Sequence, residues 1–192
     1  MKIKKLRKNG NMIYFTSDWH IGHDKLFLYG SRGFNSIERH DTEILLKCNS
    51  IVKENDELWI LGDLALGTNE KEWDRIYKSL FCKNIHFILG NHDTKNKINK
   101  YEKEYGFINE GYVSIFKYSK HRRFYISHYP TLTGNFDDDK RTPLWNLSGH
   151  THSKEKFHTQ NCVYNVSLDA HNNYPVSMDT IIKDILKKEG KI

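Results

Sequence analysis

The stretch Ile85-His86-Phe87-Ile88-Leu89-Gly90-Asn91-His92-Asp93 decides the fold, because an apolar run ends abruptly in four small or polar residues. Short, β-favouring and closed by a glycine, Asn84 to Leu89 predicts a buried strand that opens into a loop. Open α/β sheets bind ligands at that end of their strands. The same motif recurs on either side. Met12 to Ser17 runs into Asp18-Trp19-His20, and Glu57 to Leu61 runs into Gly62-Asp63. Downstream, Phe124 to Ser127 meets His128, and Pro143 to Ser148 meets Gly149-His150-Thr151-His152.

Between these strands the apolar spacing turns helical. Ser36 can cap a helix reaching about Lys53, with Ile37, Ile44, Leu45, Cys48, Ile51 and Val52 on one face. Glu70 to Leu80 carries Trp73, Ile76, Tyr77 and Leu80 at the same period. Thr94 to about Tyr105 is a third, mostly charged helix, and Ser177 can cap a last one holding Ile181, Ile182, Ile185 and Leu186. Trp19 to Asn35 is loop with one helical turn. Strand–helix alternation implies parallel βαβ units in the first half. The second half changes character: Phe107 to Tyr118 and Arg122 to Ser127 suggest a hairpin, with Cys162 to Ser167 a further strand. Thr131 to Thr142 is polar and expected as a surface loop over the site. The whole predicts an α/β chain of two packed mixed β-sheets flanked by helices.

A length of 192 residues favours one domain over residues 1–192, with residues 1–10 as a basic lead. Such a chain buries roughly 70% of its unfolded surface. With 38% hydrophobic and 13% aromatic residues, the composition excludes a disordered chain. The formal net charge of +6 favours anionic partners. Part of it lies in Lys2, Lys4, Lys5, Arg7 and Lys8, and in Lys183, Lys187, Lys188 and Lys191, clusters that suit a solvated surface. Cys48, Cys82 and Cys162 are too widely spaced for a disulfide ladder or a zinc pair, so a reducing, cytoplasmic setting is expected. Met12-Ile13-Tyr14-Phe15 is too short for a signal-peptide core, and no run reaches the length of a membrane span.

Asp18, His20, Asp63, Asn91, His128, His150 and His152 offer two carboxylates, four imidazoles and an amide. Imidazole with carboxylate and no thiolate suits Mn²⁺ first, and also Fe, Zn²⁺, Co²⁺ or Ni²⁺, rather than Ca²⁺ or Mg²⁺ alone. In Asp-x-His and His-x-His, alternation lets both side chains point one way where the chain is extended. Seven ligands exceed the needs of one ion and fit two that share a carboxylate. Two cations can clamp a phosphoryl group and lower the pKa of a bound water. His92 is left over beside Asn91, free to protonate a leaving oxygen.

These blocks resemble the calcineurin-like metallophosphoesterase superfamily: Asp18-x-His20, Gly62-Asp63, Gly90-Asn91-His92-Asp93, a lone His128 and Gly149-His150-x-His152, in the family's order. Thr16 to His23, with Leu61 to Ala65, is similar to the small stand-alone phosphoesterases of bacteria and phages. The resemblance implies an αββα sandwich and two metals. Asp18, His20 and His152 would hold one, Asn91, His128 and His150 the other, with Asp63 bridging. His92 and Asn91 would serve catalysis, through attack of a metal-bridging hydroxide on a nucleotide or nucleic-acid phosphodiester. Gly62-Asp63 continues as Leu64-Ala65-Leu66-Gly67, not with the Asp-Arg-Gly of protein phosphatases, which argues against that substrate. There is also no room for the DNA-binding cap of break-repair nucleases. A phosphomonoesterase and a non-catalytic interaction module are the alternative readings.

Around this set, His23 and Arg32 are weighed as substrate contacts against a surface role. Asp93 is expected to orient His92 or cap the next helix. Asp169 and His171 are candidate partners of a ligand imidazole, Trp19 lies under or beside the site, and His40, His86, His121 and His158 carry no assigned function.

Overall fold

Strands β1 (Ile13–Thr16), β2 (Glu57–Leu61) and β3 (Asn84–Ile88) lie parallel, β2 in the middle, so the three polar loops after them emerge at one edge. The computed structural model describes residues 10–131, 143–158 and 162–192. Residues 1–9 of the basic lead and most of the polar stretch expected over the site, residues 132–142, lie outside the described residues.

The first sheet has the order β4-β3-β2-β1-β9. β4 (Ile108–Asn109) extends it in parallel, and β9 (Val176–Ser177) adds an antiparallel edge. Alternation splits β2 between two cores, as period-two geometry requires. Leu58 and Ile60 pack with Ile85 and Phe87 into one cluster that takes in Ile44 and Cys48 of α2 (Ile37–Ile51), Trp73, Ile76 and Tyr77 of α3 (Glu70–Lys78), and Tyr101 of α4 (Lys95–Lys103). Trp59 and Leu61 face the other way with Phe15 and Ile88. There they meet Phe124 and Ile126 of β6 (Arg123–Ser127), Trp145 and Leu147 of β7 (Trp145–Ser148), and Tyr164 of β8 (Val163–Asn165). Helix α5 (Met178–Lys188) closes that second core with Ile181, Ile182 and Ile185. Ser36 and Ser177 cap α2 and α5 as expected, accepting from the amides of Arg39 and Thr180.

The second sheet, β5-β6-β7-β8, contains the expected hairpin and continues from it in parallel. Only β5 (Val113–Lys117) is antiparallel to β6; β6, β7 and β8 are parallel. The expected long strand from Phe107 to Tyr118 is two strands in two sheets. Gly111, at φ +78°, turns the chain between them, a region glycine enters freely. Both sheets are therefore mixed, and both send strand C-termini to the same place. A short helix α1 (Leu26–Tyr29) is the one helical turn in the first long loop.

Candidate metal centre

All seven expected ligands sit just past strand ends, and the structure brings them together. His20 Nε2 lies 3.1 Å from His152 Nε2, and Asp18 Oδ1 stands 3.9 and 3.8 Å from those two nitrogens. On the other side His128 Nε2 is 3.0 Å from Asn91 Oδ1 and 3.2 Å from His150 Nδ1. Asp63 Oδ2 stands between the halves, 3.6 Å from His20 Nε2 and 3.4 Å from His128 Nε2. Among the described residues, three overlapping groups have donor atoms close enough to share an ion: Asp18, His20 and His152; Asp18, Asp63 and His128; His20, Asp63 and His92.

The ligand loops are not extended, which corrects the i, i+2 argument from sequence. Asp18, His20, Asp63, His150 and His152 all have φ between +50° and +70°. Non-glycine residues seldom adopt this region, at a cost of order 1–3 kcal/mol each, and such residues cluster at functional sites. Backbone bonds hold the first loop in that shape: the amides of Asp18, His20 and Ile21 donate to the carbonyls of Gly62, Asp63 and Leu64. Gly90 is needed for close approach rather than for a tight turn. A Cβ there would collide with the Asp63 carboxylate, and one at Gly149 would collide with Ser17 Oγ and the Asp18 carboxylate.

The electrostatics call for a cation. Asp18 is fully buried, and burial pushes its pKa up despite the hydrogen bond from Ser17 Oγ at 2.6 Å. Burial holds His20 neutral, with a pKa near 2. His128 Nδ1 is 2.8 Å from the Leu61 carbonyl and donates to it, so in the neutral ring the lone pair of Nε2 faces an amide oxygen and a carboxylate. Burial alone would lower the pKa of His128, yet Asp63 and Asp18 raise it to about 9. Burial likewise opposes ionisation of Asp63, but His128 and the amide of His92 bring its pKa down to about 2. The Nε2 lone pair and two further acceptors, the Asn91 amide oxygen and the Asp63 carboxylate, converge on one point, and this donor set of imidazole, amide and carboxylate suits a divalent metal.

His92 donates its backbone amide to Asp63 Oδ1 at 2.9 Å, and its ring stays partly exposed, with Nε2 3.9 Å from Asp63 Oδ2. His23 lies beside His20, ring centroids 5.6 Å apart, and its Nδ1 is buried without a hydrogen-bond partner. Arg32 is placed differently from either reading. It is buried, and its guanidinium turns inward to Asp169 (2.7 Å), the Asp18 carbonyl (2.7 Å) and His40 (3.0 Å). A guanidinium so engaged is no surface charge and has little left for phosphate.

Asp93 takes a third role. Its carboxylate accepts from the amides of Asp63, Leu64 and Gly90, tying two ligand loops together, while the N-cap position of α4 falls to Thr94, which makes no side-chain capping bond. Asp169 does meet a ligand imidazole, 3.1 Å from His152 Nδ1, whereas His171 bonds the Asn165 carbonyl. Trp19 is fully buried, with Nε1 on Thr16 Oγ1. Sequence reasoning missed His40, Asp41 and Lys97. His40 bridges Arg32 and Asp41, whose other oxygen accepts from the Gly22 amide. Lys97 is buried with Nζ on the carbonyls of Ala65 and His92. The available signal was a His-Asp pair on the apolar face of α2, in phase with Ile44 and Leu45.

Comparison with known proteins gives the chain its family. The family model for calcineurin-like phosphoesterases matches residues 12–189, so the chain belongs to that family. An uncharacterized protein of Methanocaldococcus jannaschii is 30% identical over 187 residues, covering 94% of this chain and 93% of its own. The gene 66 protein of Mycobacterium phage L5 is 27% identical over 164 residues, 73% of this chain and 77% of its own. Among solved structures, a protein of unknown function from Aquifex aeolicus shares the fold, with TM-score 0.67 and 23% identity, covering 90% of this chain and 98% of that one. That family implies a metal-dependent phosphoesterase. Among the described residues no helix is long and apolar enough to cross a membrane.

Proposed function

We propose that the chain is a two-metal phosphodiesterase acting on a nucleotide or nucleic-acid phosphodiester, with Mn²⁺ the foremost metal. The observation that carries this reading is Asp63, whose Oδ2 stands within 3.6 Å of donor nitrogens from both halves of the centre. A carboxylate in that position can serve two ions at once. Asp18, His20 and His152 would hold one metal, and Asn91, His128 and His150 the other. When bound, two divalent ions supply Lewis acidity toward a phosphoryl group.

The chain's own residues do the rest. His92 is fixed by its backbone amide yet open at its ring, which supports a role in handing a proton to the leaving oxygen, worth typically about 10²–10⁴-fold. Asn91 ligates through a neutral amide, which limits the negative charge facing an anionic substrate. Asp93 and Lys97 hold the loop that carries both.

Bis-p-nitrophenyl phosphate and p-nitrophenyl phosphate, each assayed with Mn²⁺, Fe²⁺, Co²⁺, Ni²⁺ and Zn²⁺, test the proposal. Faster cleavage of the diester is expected, best with Mn²⁺. Preference for the monoester would make the chain a phosphomonoesterase, and cleavage of neither ester would defeat the enzymatic reading. His92→Ala is expected to keep its metals, counted by elemental analysis, while turnover falls about 10²-fold or more.

A further inference from the structure

We propose that the site takes an internal phosphodiester of single-stranded nucleic acid, with one base stacked on Phe27 and the adjoining base on Tyr129. The inference rests on the phosphodiesterase reading above and names its substrate class.

Exposed aromatics standing singly are ordinary on a protein surface. These two stand at the ends of one chain of contacts through the metal centre. Phe27 is 73% exposed and meets His23 edge-on, centroids 5.7 Å apart, and His23 in turn lies 5.6 Å from His20. Tyr129 is 47% exposed and packs 4.6 Å from His150 and 5.2 Å from His128. His20 and His128 flank Asp63. Each half of the centre therefore carries its own exposed ring, and a phosphoryl group between them would have an aromatic face on either side.

Both rings are displayed by braced backbone. Gly30 N donates to the Leu26 carbonyl at 2.8 Å and Leu28 is buried, which fixes the turn bearing Phe27. The Tyr129 carbonyl accepts from Ser127 Oγ at 2.7 Å and from Thr131 Oγ1 at 3.2 Å. A diester, unlike a monoester, has two organic arms to place, and in a dinucleotide unit each arm ends in a flat base. Aromatic platforms beside a cationic track are how proteins hold single strands without reading sequence. With metals bound, the centre would supply positive charge for the phosphate, and Lys25 stands two residues from Phe27.

The test compares kcat/KM of the Mn²⁺-loaded full chain on TpT, on UpU and on methyl p-nitrophenyl phosphate, a diester of equal charge without bases. Phe27→Ala and Tyr129→Ala are each expected to lower efficiency on TpT by about tenfold more than on the methyl ester, with Phe27→Trp and Tyr129→Phe restoring it. Equal proportional losses on dinucleotide and methyl ester overturn the proposal. So does a wild type that cleaves the methyl ester but neither dinucleotide, an outcome that leaves the phosphodiesterase reading standing. Cleavage of none of the three defeats that reading instead. Fluorescence anisotropy with labelled thymidine tetranucleotide then decides the surface alone: affinity that depends on both rings upholds it, and absence of binding overturns it.

Discussion

Arg32–Asp169 and Arg122–Glu189 are two arginine–carboxylate pairs built from the same chemistry and put to different use. Arg32 Nη2 lies 2.7 Å from Asp169, with side chains 1% and 5% exposed. Arg122 Nη2 lies 3.1 Å from Glu189, with side chains 11% and 10% exposed. Each carboxylate also holds a third group. Asp169 receives His152 Nδ1, a nitrogen of an expected metal ligand, whereas Glu189 receives the Trp145 indole N–H at 2.9 Å. The first pair reaches the metal centre twice, through His152 and through the Asp18 carbonyl. The second joins α5 to the far end of the second sheet. A buried ion pair is weak evidence for stability in itself, since desolvation offsets much of its attraction. What it touches decides what it is for.

The comparison breaks most sharply at Arg32. Arg32→Met leaves Asp169 buried beside His152 without its cation, and loss of one partner of a buried pair costs about 3–5 kcal/mol. Metal affinity is expected to fall with it, because carboxylates behind a ligating imidazole orient the ring, and their loss typically costs about 10–100-fold. Urea denaturation of the metal-free protein and a Mn²⁺ titration measure the two effects separately. Unchanged affinity would make Arg32 a brace of the fold alone. Asp169→Asn is milder for the fold, since the amide keeps an oxygen for Arg32. It removes the charge behind His152, so a loss of about 10–100-fold in metal affinity is again expected, with a smaller loss of stability.

Neither arginine pair could be read from the sequence. Arg32 meets Asp169 across 137 positions, and no local period connects them. The ligands were legible because each follows a short apolar run, and a strand C-terminus facing a loop is visible in one dimension. Their left-handed backbone was not, because at Asp18, His20 and Asp63 it is braced by bonds between loops, which no local sequence pattern announces. Alternation through Phe107 to Tyr118 likewise suggested one strand. It cannot tell which sheet a segment joins, and Gly111 sends the two parts to different sheets. Charge on a glycine-flanked loop looked superficial at Arg32 because burial depends on what folds over it, here the 3₁₀ turn Leu168–His171 that carries Asp169.

The far pair sharpens the contrast through a smaller effect. Glu189→Gln is expected to cost about 1.5–3 kcal/mol at neutral pH, the scale of hydrogen bonds to a charged group, and to leave metal affinity unchanged. Burial alone would raise the pKa of Glu189, but Lys191, Arg122 and the Trp145 indole hold it below the usual carboxylate value. A depressed folded pKa means the ionised group stabilises the native state above its unfolded pKa, near 4.5. That contribution is lost as pH falls through the lower folded value. The stability difference between wild type and Glu189→Gln, followed by urea denaturation, should therefore be constant from neutral pH down to about 5 and shrink below it. A gap that persists in acid would assign the effect to the packing of Trp145 rather than to charge. A change in Mn²⁺ affinity would connect the far pair to the metal centre and dissolve the distinction between them.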